Sequence, residues 1–190
     1  MVRRSRATSY VIATILLVGI VVILAATIST VMFGFTDELR EPAPNVAQSD
    51  GAFLPQDGNS GGIVKITHVS GDPLTISEIE ISVRAECSDG TRRGRIVNLP
   101  AGSGNAIRES DGQIEGDNIF DERSLNLIDN SVAGVDNGGA LLQGGQFTAG
   151  DVIIFRIPDS KCSLTQGSEV SVEIVHKPSQ AVVIDKELTA

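Results

Sequence analysis

Thirty uncharged residues, Ala7 to Thr36, open the chain after a short basic start. The run ATSYVIATILLVGIVVILAATISTVMFGFT has neither the alternation of a half-buried strand nor a polar face. It predicts a helix that is apolar all round, the kind enclosed by lipid or by other helices. From Thr8 to Thr36 such a helix would reach about 43 Å at 1.5 Å per residue, against a hydrocarbon core of about 30 Å. It can span a bilayer with length to spare. Pro42 and Pro44 cannot continue it, so the helix is expected to end near Arg40. A linker over 41–62 is expected to follow, with Phe53 and Leu54 pinned to the domain beyond it.

From Ile63 the pattern becomes that of strands. Ile63–Val69 reads as one strand, and Ser70-Gly71-Asp72-Pro73 as a turn. Ile79, Ile81, Val83, Ala85 and Cys87 alternate with Glu80, Ser82, Arg84 and Glu86, a period of two that marks a half-buried strand. The same alternation places Cys87 on the buried face. Further strands are expected at Arg95–Leu99, Asp151–Ile157, Val170–Ile174 and Ala181–Leu188. Short strands, turn residues between them and no second convincing helix predict an α+β chain: a long N-terminal hydrophobic helix followed by an antiparallel β-sandwich head. The stretch Pro100–Gly145 is Gly-rich and polar, and longer than an ordinary connection. It reads as a surface insertion or as an added hairpin.

Charge gives the helix a direction. Arg3, Arg4 and Arg6 precede it, and Asp37, Glu38 and Glu41 follow, with Arg40 among them. Basic residues stay on the cytoplasmic side, which predicts the domain after Thr36 outside the cell. The helix also carries small residues at helical spacing. Ala26, Thr30 and Gly34 recur every four positions, and Gly19 lies a heptad before Ala26. Such a stripe lets helices approach one another closely; the plain alternative is that Gly, Ala and Thr are common in membrane helices. A removed secretory signal has an apolar region of only about 7–15 residues, about half the length found here.

The junction at the front carries a resemblance. Arg6-Ala7 followed by Thr8-Ser9-Tyr10-Val11-Ile12-Ala13 and a long apolar helix resembles the class III signal of archaeal type IV pilins, those of haloarchaea in particular. Arg6, Ala7, Ser9, Val11 and Ile12 match the family pattern; Tyr10 stands where Pro is usual and Ala13 where Gly is usual. HVSGDP (His68–Pro73) and IVHKPS (Ile174–Ser179) are similar to segments of haloarchaeal pilin heads. The resemblance implies that a leader of residues 1–7 is cut by a prepilin peptidase between Ala7 and Thr8, with Arg6/Ala7 as the alternative bond. It implies a stem helix over 8–40, a linker over 41–62 and a head over 63–190 carrying an insertion near 100–146. It further implies a homo-oligomeric helical filament built by pilus assembly machinery, with the membrane holding the precursor and the finished pilus at the cell surface supporting adhesion or biofilm formation. The rival from the residues alone is a singly anchored surface protein whose β head binds a ligand or carbohydrate.

Composition narrows the remaining choices. There are 24 acidic against 15 basic residues, a net charge of −9, and four of the basic residues are lysine. With no basic patch, nucleic acid is not an expected partner; an acidic, lysine-poor surface fits a salt-loving source. Cys87 and Cys162, the two cysteines, read most simply as one disulfide in an exported domain, the alternative being two buried thiols. No catalytic, cofactor-binding or metal site is expected. His68 and His176 read as half-exposed strand residues. Asp111, Glu115, Asp117, Asp129 and Asp136 lie in Gly-rich loops without the order of a calcium loop. No G-x-S-x-G or phosphate loop is present, nor an N-x-S/T acceptor.

Overall fold

The computed structural model describes residues 5–36, 42–56, 61–125 and 140–190. Arg3, Arg4, Asp37, Glu38, Arg40 and Glu41, Asp129 and Asp136, and Gly138-Gly139 lie outside them, as does the side chain of Thr30. The chain divides into two compact units, 1–41 and 42–190. The described residues of the first form one helix, α1 (Ser5–Thr36). The second is built on antiparallel sheets.

The described residues of the head form ten strands: β1 (Gln48–Pro55), β2 (Gly61–Ser70), β3 (Leu74–Thr75), β4 (Ile79–Cys87), β5 (Gly90–Ile96), β6 (Ile114–Gly116), β7 (Gln146–Phe147), β8 (Val152–Pro158), β9 (Glu169–His176) and β10 (Ala181–Thr189). One sheet has the order β1-β2-β8 and the other β10-β9-β4-β5-β6, with β3 and β7 forming a small third ladder. All pairings are antiparallel. The inward residues of both sheets join in one apolar core that includes Ile66, Ile81, Val83, Ile153, Phe155, Val172 and Ile174. The head is therefore an antiparallel β-sandwich.

Period-two patterning explains the central strands. On β4 the residues alternate buried and outward from Ile79 to Cys87, and β9 does the same from Val170 to His176. The parity carries both histidines inward, which corrects the expectation that they are half-exposed: His68 is fully buried and His176 nearly so. His68 follows Val64 and Ile66 on the inner face of β2 and lies 5.3 Å, centroid to centroid, from the Phe147 ring. His176 Nδ1 is 2.8 Å from Ser179 Oγ.

Two further expectations change. The segment read as linker contains β1, an edge strand paired along its length with β2. Its fit depends on Gly62: a Cβ there would fall 1.9 Å from Phe53 Cζ. The Phe53 ring thus occupies the space a side chain would take, so the strand is held by an aromatic laid over a glycine rather than by an alternating pattern. The strand expected at Arg95–Leu99 runs instead from Gly90 to Ile96. Ser88 and Asp89 close a tight hairpin in which Gly90, at φ +129°, pairs with Cys87. The strand stops before Asn98, which sits at φ +52°.

The described part of the polar middle is core as much as surface. β6 extends the larger sheet beyond β5. Ala106, Ile107, Ile119, Phe120 and Leu125 are buried, and Phe120 meets Phe155 edge to face at 5.7 Å. Gly94 leaves room for the Phe120 ring, since a Cβ on it would lie 2.7 Å from Phe120 Cε2. A short helix, α2 (Ala140–Gln143), presents Leu141, whose carbonyl accepts from the Ala101 amide at 2.8 Å.

Candidate functional site

In α1 the 20 residues Tyr10–Ser29 have a mean hydropathy of 3.0, and none of that stretch is buried by the chain itself. Tyr10, Ile15, Leu17 and Ile23 are each more than 60% exposed. A soluble monomer could not leave so much apolar surface in water, so these side chains need an apolar environment from outside the chain. The hydroxyls fit such a setting. Thr14 Oγ1 donates to the Val11 carbonyl and Thr27 Oγ1 to that of Leu24, both at 2.9 Å, which keeps these donors satisfied without water.

Ala7 and Thr8 lie in the first turns of α1, in continuous helix with Ser5. Gly19 and Ala26 fall seven residues apart, within about 20° of one helix face. Around Gly19 the space is open: no atom lies within 4 Å of where a Cβ would stand. The backbone at Thr30 and Gly34 is helical.

The head is held by the disulfide expected from the sequence and by polar contacts that sequence spacing does not reveal. Cys87, at the end of β4, and Cys162, in the turn after β8, form a disulfide with Cα atoms 5.1 Å apart. It staples one sheet of the sandwich to the end of a strand in the other, and the Ser88 amide donates to the Ser163 carbonyl beside it at 2.8 Å. Arg156 is a buried cation on β8. Its Nη1 is 3.2 Å from Asp121 Oδ2, and the Asp121 amide donates to the Arg156 carbonyl at 3.0 Å. Burial opposes ionisation of Asp121, but hydrogen bonds from Arg123 and the charge of Arg156 outweigh it and hold its carboxyl below the usual range. Glu122 is lowered by its hydrogen bond from Lys161, then by that from Asn118; Lys161 Nζ is 2.6 Å from Glu122 Oε1.

These shifts make a signed prediction. A carboxyl lowered in the folded state stabilises fully above its unfolded pKa of about 4 and loses that contribution as pH falls through the folded value. The head is expected to lose stability below pH ~4, and Asp121→Ala to blunt that loss. The variant should also cost about 3 kcal/mol at neutral pH, because Arg156 is left buried and unpaired. Thermal unfolding followed by circular dichroism at pH 3 and pH 7 checks both. Equal losses in wild type and variant on acidification would show that Asp121 is not the group responsible.

Among the described residues no group of three His, Cys, Asp or Glu side chains is arranged to hold a metal ion. The distinctive surface is the stem. The description "Archaeal Type IV pilin, N-terminal" matches residues 6–47. Over this stretch the chain is similar to the N-terminal region of archaeal type IV pilins. The matched residues start at the Arg6-Ala7 junction and take in all of α1 from Arg6 onward together with the segment leading to β1. The chain is also 36% identical over 89 residues to a protein of Archaeoglobus fulgidus described as uncharacterized. That match covers 45% of this chain and 60% of the relative's length.

Proposed function

We propose that the chain is a subunit of an extracellular type IV pilus that polymerises through α1. The observation that carries this reading is the Tyr10–Ser29 stretch, apolar on every side and uncovered by the chain, within the region matched to archaeal pilins. Arg3, Arg4 and Arg6 hold the N-terminus in the cytoplasm and the head lies outside. Prepilin peptidase cuts between Ala7 and Thr8, removing the basic leader that ties the helix to the membrane surface. The helix then exchanges lipid for other copies of itself. Burial of its apolar side chains is preserved through this exchange, and close packing along Gly19, Ala26, Thr30 and Gly34 supplies the gain. The filament displays the β head to its surroundings, in adhesion, cell–cell contact or biofilm formation.

Gly19→Leu tests the packing stripe cleanly. Within one chain a Cβ at this position has no atom within 4 Å beyond the local helix backbone, and the substitution removes a helix-interior glycine worth roughly 0.5–1 kcal/mol of helix stability. The isolated helix in detergent should be as stable as wild type or more so. Filament yield from sheared cells is nonetheless expected to fall several-fold, because a leucine would hold neighbouring helices apart. Undiminished filaments would remove Gly19 from the contact.

A further inference from the structure

The outward face of the five-stranded sheet carries an arrangement that the filament reading does not use. Arg84 on β4 and Arg93 on β5 stand directly opposite each other in the ladder, and like charges so placed destabilise a sheet. Both are exposed. The other arginines of the described head each reach a carboxylate: Arg92 to Asp89, Arg95 to Glu80 and Glu115, Arg108 to Asp111, Arg123 and Arg156 to Asp121. No ion pair or side-chain hydrogen bond joins the guanidinium of Arg84 or Arg93 to any described residue; outside the ladder it is the backbone of Arg93 that is engaged, its amide donating to Asp117 Oδ2 and its carbonyl accepting from the Asp117 amide, both at 2.8 Å. The two guanidinium groups line a groove of about 300 Å³ together with Ser82, Ser171 and Glu173, the size of a small ligand site. The surrounding head is acidic, with 21 Asp and Glu against 11 Lys and Arg over 42–190.

Two unpaired forks side by side suit a carboxylate, which each guanidinium can engage with two parallel donors. The rest of the lining decides what carries it. Ser82 and Ser171 donate and accept, and Glu173 accepts only, so the groove suits a ring rich in hydroxyls. On its other side Arg84 borders a smaller groove with Glu86, Glu169 and Glu187. Those three carboxylates would repel an acidic peptide with successive charges, but not a single carboxylate on a neutral ring. We propose that this groove binds a carboxylate-bearing saccharide of the uronate type. Arg84 and Arg93 take the carboxylate, while Ser82, Ser171 and Glu173 take ring hydroxyls. The site lies wholly on the head and does not depend on polymerisation.

The test uses the full chain in detergent micelles at low salt, titrated with a glucuronate disaccharide, glucose, acetate and a glutamate hexapeptide, and read by calorimetry. The disaccharide is expected to bind at least tenfold more tightly than the other three. Arg84→Ala and Arg93→Ala should each weaken it at least tenfold while leaving the circular dichroism spectrum intact and the thermal midpoint equal or higher, since neither guanidinium has a partner to lose and each substitution relieves a like-charge pair. Glu173→Gln should weaken the disaccharide and not acetate. Equal binding of acetate and the disaccharide would reduce the groove to a plain anion site. Tighter binding of the hexapeptide would assign it to a protein partner, and no binding, or binding indifferent to both arginine substitutions, would overturn it altogether.

Discussion

Val21→Asp is expected to lower surface filaments by about a hundredfold while leaving the head folded, because an acidic side chain at the centre of a membrane helix costs about 2.5–3.5 kcal/mol. Val21 is 54% exposed and lies in the stretch to which the chain supplies no cover. The substitution therefore breaks no contact within the subunit. It acts only where α1 meets lipid or another copy, and it acts at every subunit added to the filament. Head folding is followed separately, through the β-sheet circular dichroism of the full chain in detergent. Filaments of normal yield from the variant would mean that α1 is neither inserted nor packed along its middle. Lost filaments together with an unfolded head would point to general misfolding instead.

Cys162→Ser is the largest effect expected in the head. The bond to Cys87 closes a sequence separation of 75 residues, and removing a native disulfide from a small secreted domain costs about 2–5 kcal/mol. For a head of this size that corresponds to a thermal midpoint lower by about 5–15 °C. Cys87→Ser should match it, and the double variant should be no worse than either single one, because all three lose the same link. Wild type unfolded under reductant should coincide with them. Non-reducing mass spectrometry with thiol labelling gives the direct check: two alkylatable thiols in the native protein would contradict the bridge.

The parts of the fold legible in the sequence are those with a clean period. The β4 boundaries, Ile79 to Cys87, follow from alternation alone, and α1 follows from an uncharged run too long for any other element. The same parity, carried one step further along β2 and β9, places His68 and His176 inside. Their polarity argues for the surface, but the ladder decides which way a side chain points. β1 was not legible because its apolar run is short and its place depends on Phe53 lying over Gly62, a contact between two strands. The middle of the chain shows no period at all. Ile119 and Phe120 are ordered by Phe155 and by the Asp121–Arg156 pair, partners 35 residues apart in the case of the ion pair, and no local rule predicts such a match. At the candidate sites the division is similar. The stem and its junction are contiguous, and so were visible. The Arg84–Arg93 groove was not, because alternation turns Arg84 outward but only the β4–β5 register brings Arg93 opposite to it.

Polymerisation requires α1 to leave the membrane after its leader is removed, and N-terminal sequencing of the subunit from sheared, purified surface filaments tests this most directly. A subunit beginning at Thr8, or at Ala7 if the neighbouring bond is cut, is the predicted result. A chain still beginning at Met1, retained in the membrane fraction with no filament containing it, would contradict the account and leave α1 as a permanent anchor.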